Sequence, residues 1–335
     1  MSEDFIFKAK TKEAFVIKIL GELVSSILKF ASFRINEKGI FLLQPDNLKH
    51  QMIEISLLKE YFASYKCSQS ISFSVNASHL YKMLKAIKKK DGITLFISND
   101  TDDDLKLGIC VEQTDENNKV LTYIPINDTR IEDIEVPTNY ENPIIMTSKE
   151  FQKLKNLHII SPVMVVTSKP EFIKFFCDGG SIYSRELVIG NENDEDNKHI
   201  DITYKQTFWT QYITRLTKCA GQSGNVQVFV HELNGMKIKM KAGGLGEVTI
   251  YIKSKEIIED EEDDENITVI GKEDDLITYE EKNTRKSDLD THNSYEEDSK
   301  YEVSDNSDCE DDKDIYETKK KSTRKYDTQK GNKNK

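Results

Sequence analysis

Lys82, Lys85 and Lys89 recur at i, i+3 and i+7 in the segment VNASHLYKMLKAIKKKD, Val75–Asp91. On an α-helix that spacing lines up three ammonium groups, beside an apolar stripe of Leu80, Met83, Leu84 and Ile87 expected to pack on a sheet. A row of fixed positive charge neutralises a polyanion and releases its condensed counterions without reading bases. The pattern is not isolated. Lys12 and Lys18 accompany a first amphipathic segment, Lys149, Lys153 and Lys155 a third, and Arg215 and Lys218 a fourth. Acidic residues on these helices are few: Glu13, Glu22 and Glu150. Four basic helix faces predict a phosphate-binding surface, provided the fold sets them side by side.

The elements that must position them are legible as patterns. KEAFVIKILGELVSSILKF (12–30) has helical periodicity through Val16, Leu20, Leu23, Val24 and Ile27. Strand patterns follow at Phe33–Ile35, Gly39–Leu43, His50–Leu57 and Ile71–Val75, then the lysine helix, then strands at Ile93–Ile97 and Leu105–Val111. The order then repeats. KEFQKLKNLHII (149–160) stands for the first helix, and VMVVTSKPEFIKFFCDGGSIYS (163–184) is strand, turn and strand. ITYKQTFWTQYITRLTKCAGQSGNVQVFV (202–230) is strand, short helix and strand. Two α+β halves of similar size result, a duplicated domain rather than a solenoid. The polar stretch IPINDTRIEDIEVPTNY joins them. The boundaries read as 1–123, a connector at 124–140, a second domain at 141–257 and a tail at 258–335.

Charge separates the tail from the body. The chain of 335 residues has formal charge −12, but 27 acidic and 14 basic residues fall from Glu256 onward, a net of −13. Residues 1–255 hold 32 acidic and 33 basic residues, so the body is balanced and free to be basic on one face. The tail has few large apolar residues and is expected to be disordered and dispensable for assembly. Ser304 and Ser307 among its acids are candidate phosphorylation sites, and KKKSTRK (319–325) a candidate nuclear-import signal. No apolar run reaches the ~20 residues of a membrane span, and MSEDFIFKAK lacks a signal-peptide core, which predicts an intracellular protein.

Catalytic chemistry has little support. Cys67, Cys110, Cys177, Cys219 and Cys309 form no CxxC and read as buried free thiols. The six histidines make no HxxxH or HExxH pair, and no GxSxG occurs. AGGLGE (242–247) lacks the GK[ST] ending of a phosphate loop and reads as a turn between strands. The acids at Asp100–Asp104 read as a solvated hairpin turn, and Trp209 as core. No catalytic residue, metal or cofactor is expected.

Two stretches resemble the sliding-clamp family of proliferating cell nuclear antigen. GIFLLQPDNLKHQMIEISLLKEYF (39–62) carries Gly39, Ile40, Leu42, Asp46, Lys49, Met52, Ile53, Ile55, Leu57 and Phe62 of its signature. KCSQSISFSVNASHLYKMLK (66–85) matches its DNA-facing helix and the strand before it, through Lys66, Cys67, Phe73, Leu80 and Lys82–Lys85. EFQKL, the IEVP before Tyr140, and YIKSKEIIEDEE agree in order, so the resemblance spans about residues 5–258. The chain departs from the family at Ser68-Gln69, Gln44-Pro45, His50 and Lys253-Ser254; most of these surround the family's partner pocket.

The resemblance implies duplicated α+β clamp domains, with helices inside and antiparallel sheets outside a head-to-tail homotrimeric ring. It implies a processivity factor that encircles double-stranded DNA regardless of sequence and tethers DNA polymerase. Other clamp-binding replication proteins and a clamp loader are further implied partners, in the nucleus or a viral replication compartment. The lining it implies is Lys18, Lys82, Lys85, Lys153, Lys155 and Lys218, with Lys10 and Arg215 secondary. Met52, Ile134, Val136, Tyr251 and Ile252 are the implied partner-peptide groove. Subunits are expected to join through the strand-like segments Lys119–Tyr123 and Ile173–Cys177. Two alternatives are a clamp-like repair or damage-signalling factor acting as a monomer or in a mixed ring, and a nucleic-acid-processing enzyme. The second would need a metal-binding carboxylate cluster in the body.

Overall fold

The computed structural model describes residues 5–98, 105–113, 118–140, 142–170, 172–190 and 204–263. The first half runs β1 (Phe5–Thr11), α1 (Ala14–Ile27), β2 (Phe30–Asn36), β3 (Gly39–Pro45), β4 (Gln51–Leu58), β5 (Ser64–Cys67), β6 (Ile71–Asn76), α2 (Ala77–Leu84), β7 (Gly92–Ser98), β8 (Lys106–Gln113) and β9 (Asn118–Pro125). After the short β10 (Asn127–Asp128), which pairs with β6, residues 129–143 form no regular element among those described. The second half follows the same order: β11 (Ile144–Thr147), α3 (Ser148–Gln152), β12 (Val163–Lys169), β13 (Phe172–Asp178), β14 (Ser184–Gly190), β15 (Tyr204–Trp209), α4 (Thr210–Thr214), α5 (Thr217–Ala220), β16 (Asn225–His231), β17 (Gly235–Ala242) and β18 (Gly246–Ile252).

One sheet carries both halves. Its nine strands run β10-β6-β2-β3-β4-β18-β17-β16-β11, and the halves meet where β4 and β18 pair antiparallel, Ile53 opposite Ile250 and Ile55 opposite Val248. A five-stranded sheet, β5-β1-β7-β8-β9, and a four-stranded one, β14-β13-β12-β15, complete the two domains. Strand alternation turns Ile53, Ile55 and Leu57 of β4 and Val248, Ile250 and Ile252 of β18 toward the helices, where all are buried. The AGGLGE turn joins β17 to β18, as its glycines suggest, and Gly243 takes a positive φ of 54° there.

Local sequence accounts for the helices. Val16, Ile19, Leu20, Leu23 and Val24 give α1 a continuous buried face. Gly21 lets α2 approach closely, since a Cβ there would lie 2.7 Å from a Leu84 methyl. Asn76 caps α2 by accepting the His79 N–H at 2.9 Å. α2 ends at Leu84, so Lys88, Lys89 and Lys90 lie beyond it and Lys89 does not extend the helical stripe. Met83, expected on the sheet, is 40% exposed, while Leu80, Leu84 and Ile87 are buried. The segment matching α1 in the second half is not a second long helix. Phe151, Leu154 and Leu157 bury every third residue, a spacing that suits 3-10 turns. The backbone accordingly bonds Lys153 to Glu150, Leu154 to Phe151 and Lys155 to Gln152.

Three further expectations are corrected. Ile173–Cys177 lies in β13, which has β12 on one side and β14 on the other, so it has no free edge. The body also continues past residue 257. Residues 255–263 are helical, Ile258 is buried, and Glu256 accepts the Thr207 N–H of β15 at 2.9 Å. The rest of the expected tail, with Ser304, Ser307, Cys309 and KKKSTRK, lies outside the described residues, as do Asp100–Asp104. Of the cysteines described, Cys177 and Cys219 are buried, but Cys67 and Cys110 are only half-buried. Burial pushes the Cys219 thiol up to about 12. Trp209 is half-buried against the core, with the Lys255 ammonium 5.3 Å from its ring centroid.

Candidate nucleic-acid interface

The helices form one continuous layer. α2 packs on α1, α1 on α5, and α5 on α3, so elements of both domains share a face opposite the open side of the nine-stranded sheet. Lys82 on α2 and Lys85 at its C-cap are exposed, as are Lys153 and Lys155 just after α3; none of the four has an ion pair among the described residues. Lys18 is half-buried, donates to the Ile87 carbonyl at 3.0 Å and lies 5.5 Å from the Phe15 ring centroid. That bond ties α1 to the turn after α2 and uses one of the three ammonium donors.

Lys218 and Arg215 meet the layer differently from the other lysines. Lys218 donates to both carboxylate oxygens of Glu22, at 2.6 and 2.7 Å. Arg215 donates from Nη1 to the Ser26 carbonyl at 2.7 Å, at the C-terminal end of α1 where a cation is favoured, and from Nε to Gln211. Burial lowers its pKa. Both residues therefore tie the second domain to α1. Lys10 is not brought to the layer. It projects from β1 opposite the buried Phe7, Ala9 and Thr11, and pairs with Glu112 at 2.8 Å. That contact holds the Glu112 carboxyl below its usual range.

Each acidic residue of the helix layer is engaged within the chain. Glu13 accepts the Gly244 N–H of the β17–β18 turn at 2.9 Å, another tie between domains. Glu22 takes Lys218. Glu150 closes a capping box with Thr147, accepting its N–H at 2.8 Å, and these bonds hold its carboxyl below the usual range. The charge left facing solvent is positive, although the body as a whole is balanced.

A second feature lies on the opposite face of the sheet. Tyr251 and Met52 face each other across β18 and β4, and the Tyr251 hydroxyl donates to Glu54 at 3.0 Å. The connector lies alongside. The Tyr140 ring is within 6.1–6.4 Å of Phe229, His231 and Tyr251, and its hydroxyl donates to the Asn234 carbonyl at 3.1 Å. Lys237 lies 4.2 Å from the Phe229 centroid and 4.8 Å from that of Tyr140. Ile134 and Val136 of the connector are half-buried. Ile252 is 0% exposed and belongs to the core, so it is not brought to this cluster. Tyr140, Phe229 and Lys237 join this cluster although the sequence did not single them out for it. The usable signal was their outward phase: Phe229 and Lys237 alternate with the buried Val228, Met236 and Ile238. Among the described residues no group of three His, Cys, Asp or Glu could hold a metal, and no helix is long and apolar enough to cross a membrane.

Two copies of one α+β domain, fused through a shared antiparallel sheet with a basic helix layer on one side and an aromatic cluster on the other, define a DNA-clamp architecture. The proliferating cell nuclear antigen N-terminal domain matches residues 6–135 and its C-terminal domain residues 131–255. The chain is 25% identical over 261 residues to proliferating cell nuclear antigen of Chaetomium thermophilum, covering 75% of this chain and 98% of that one. It is 23% identical over 262 residues to the probable DNA polymerase sliding clamp 1 of Paramecium bursaria Chlorella virus 1 (75% and 97%). With the DNA polymerase sliding clamp of Cenarchaeum symbiosum it shares 24% over 251 residues (73% and 97%). The chain belongs to the proliferating cell nuclear antigen family of sliding clamps.

Proposed function

We propose that this chain is a DNA sliding clamp, a processivity factor that closes around duplex DNA and tethers the replicative polymerase. The observation that carries this reading is the helix layer: contiguous across both domains, basic toward solvent, its acids engaged internally. Lys82, Lys85, Lys153 and Lys155 contact phosphates, and Lys18 contributes beside them. Ammonium groups of this kind bind any sequence, and a closed ring needs only weak contacts to stay on DNA. The chain acts as a scaffold without catalysis. The groove of Met52, Tyr251, Ile134 and Val136 around Tyr140 takes partner peptides, a clamp loader places the ring on DNA, and it works in the nucleus or a viral replication compartment.

Closure as a homotrimer follows from the repeat. By element order β18 corresponds to β9, and β4 to β14. The β4–β18 pairing within the chain is thus a template for pairing β9 of one subunit with β14 of the next. Among the described residues both are edge strands, bonded only to β8 and β13. Val120, Leu121 and Tyr123 on β9, and Ile182 and Tyr183 before β14, are exposed apolar groups that such pairing would cover. The test is topological. Loaded on a nicked DNA circle, the protein stays bound through gel filtration in high salt and is lost once the circle is cut. Retention on the cut DNA would overturn the reading.

A further inference from the structure

Glu22 sits where three helices of the layer meet. It belongs to α1, binds Lys218 of α5 through both oxygens at 2.6 and 2.7 Å, and lies near Tyr81 of α2, whose hydroxyl pKa is raised by burial first and by this carboxylate second. The carboxylate thus presents to Lys218 what a DNA phosphate would present: two anionic oxygens in charge-assisted contact. Its side chain is 29% exposed, while that of Lys218 is 57% exposed, so the lysine reaches the solvent face and the acid beneath holds it.

We infer that Glu22 is an intramolecular stand-in for a DNA phosphate, which keeps Lys218 out of the phosphate contacts and leaves DNA binding on this face to the unpaired lysines. The inference rests on the DNA-facing reading of the helix layer. A Lys218–Glu22 pair has no net charge and holds back no counterions of its own from the DNA. If a phosphate took Lys218, the freed carboxylate would face other phosphates without its cation. The exchange keeps the number of ion pairs and adds like-charge repulsion, so the internal pair persists. Arg215, bound to the Ser26 carbonyl, is withdrawn in the same region. The second domain then meets DNA mainly through Lys153 and Lys155.

The slope of log K against log salt for duplex DNA reads this directly, measured by anisotropy on the full-length protein. One newly engaged lysine steepens the slope by about 0.9, a further ~3.5-fold loss of affinity between 50 and 200 mM salt. Glu22→Gln, with native mass and melting temperature retained, is expected to bind more tightly at low salt and show that steeper slope. Adding Lys218→Gln to it removes the gain and restores the parental slope, because the double variant deletes a pair with no net charge. The double variant decides the matter even where Glu22→Gln alone does not fold. If it flattens the slope by about 0.9 relative to the parent, Lys218 already contacts phosphate and the stand-in role is overturned. A parental slope in a folded Glu22→Gln overturns it too. The Lys82→Ala, Lys85→Ala variant separates the two readings. If it flattens the slope while Glu22→Gln changes nothing, the DNA face stands and the stand-in role fails; if it changes nothing, both fail.

Discussion

Removing the exposed lysines on and just after α2 perturbs DNA binding without touching the core. In Lys82→Ala, Lys85→Ala, the helix keeps its Asn76 cap and its buried Leu80 and Leu84, with Ile87 beyond it, and neither lysine has an ion pair among the described residues. Alanine is the best helix former, so stability should hold within about 0.5 kcal/mol. Two phosphate contacts at about 0.9 each flatten the salt slope by ~1.8. Between 50 and 200 mM salt the parent should then lose ~12-fold more affinity than the variant. The assay is anisotropy of labelled duplexes of several sequences across a salt series, with stimulation of polymerase extension in parallel. All sequences should weaken alike, because phosphate contacts carry no base information. A parental slope would mean that this helix face is merely solvated. A loss confined to one sequence would mean that these lysines read bases. Either result refutes the reasoning.

Leu121→Asp with Tyr123→Asp places charge on the free edge of β9, where both side chains are about half exposed; the subunit should stay folded by circular dichroism but run as a monomer in sedimentation. Thr147→Ala removes the capping box of α3 and should cost about 1 kcal/mol, read as a lower urea midpoint with unchanged m-value. Tyr140→Ala removes the ring between Phe229, His231 and Tyr251 and should abolish binding of partner peptides in calorimetry while leaving DNA affinity at the parental value. The Glu112 and Glu150 carboxyls are held below their usual range, chiefly by Lys10 and by the Thr147 N–H. Depressed carboxyls stabilise the fold above their unfolded pKa and lose that contribution as pH falls through the folded one. Urea midpoints should therefore be level above the ordinary carboxylate pKa of about 4.3 and decline below it; a midpoint that rises on acidification would contradict this.

The fold was legible wherever one periodicity dominated. The 3.6-residue pattern of α1 and the strand patterns of β4, β6 and β12 identified those elements and the duplication. Errors arose where local pattern and tertiary role part. KEFQKLKNLHII looks helical, but its buried residues come every third position and the backbone turns 3-10. FIKFFC is the most strand-like run of the second domain for the same reason that it cannot be an edge: both its flanks are paired and its apolar residues are inside. The edge strand, SRELVIG, is polar enough to pass for loop. At the site, lysine position was readable but lysine partnership was not. Nothing near Lys218 in sequence announces Glu22, 196 residues away. Likewise Lys10 resembles a lining lysine until β1 is seen to turn it toward Glu112 on the other face of its sheet.

The mass of the native particle tests the account most directly, because encirclement requires closure. Light scattering of the full-length protein at micromolar concentration should give three times the 38.6 kDa chain, about 116 kDa, independent of further dilution over the assay range. A particle of 38.6 kDa at those concentrations would contradict closure through β9 and β14, and with it the ring.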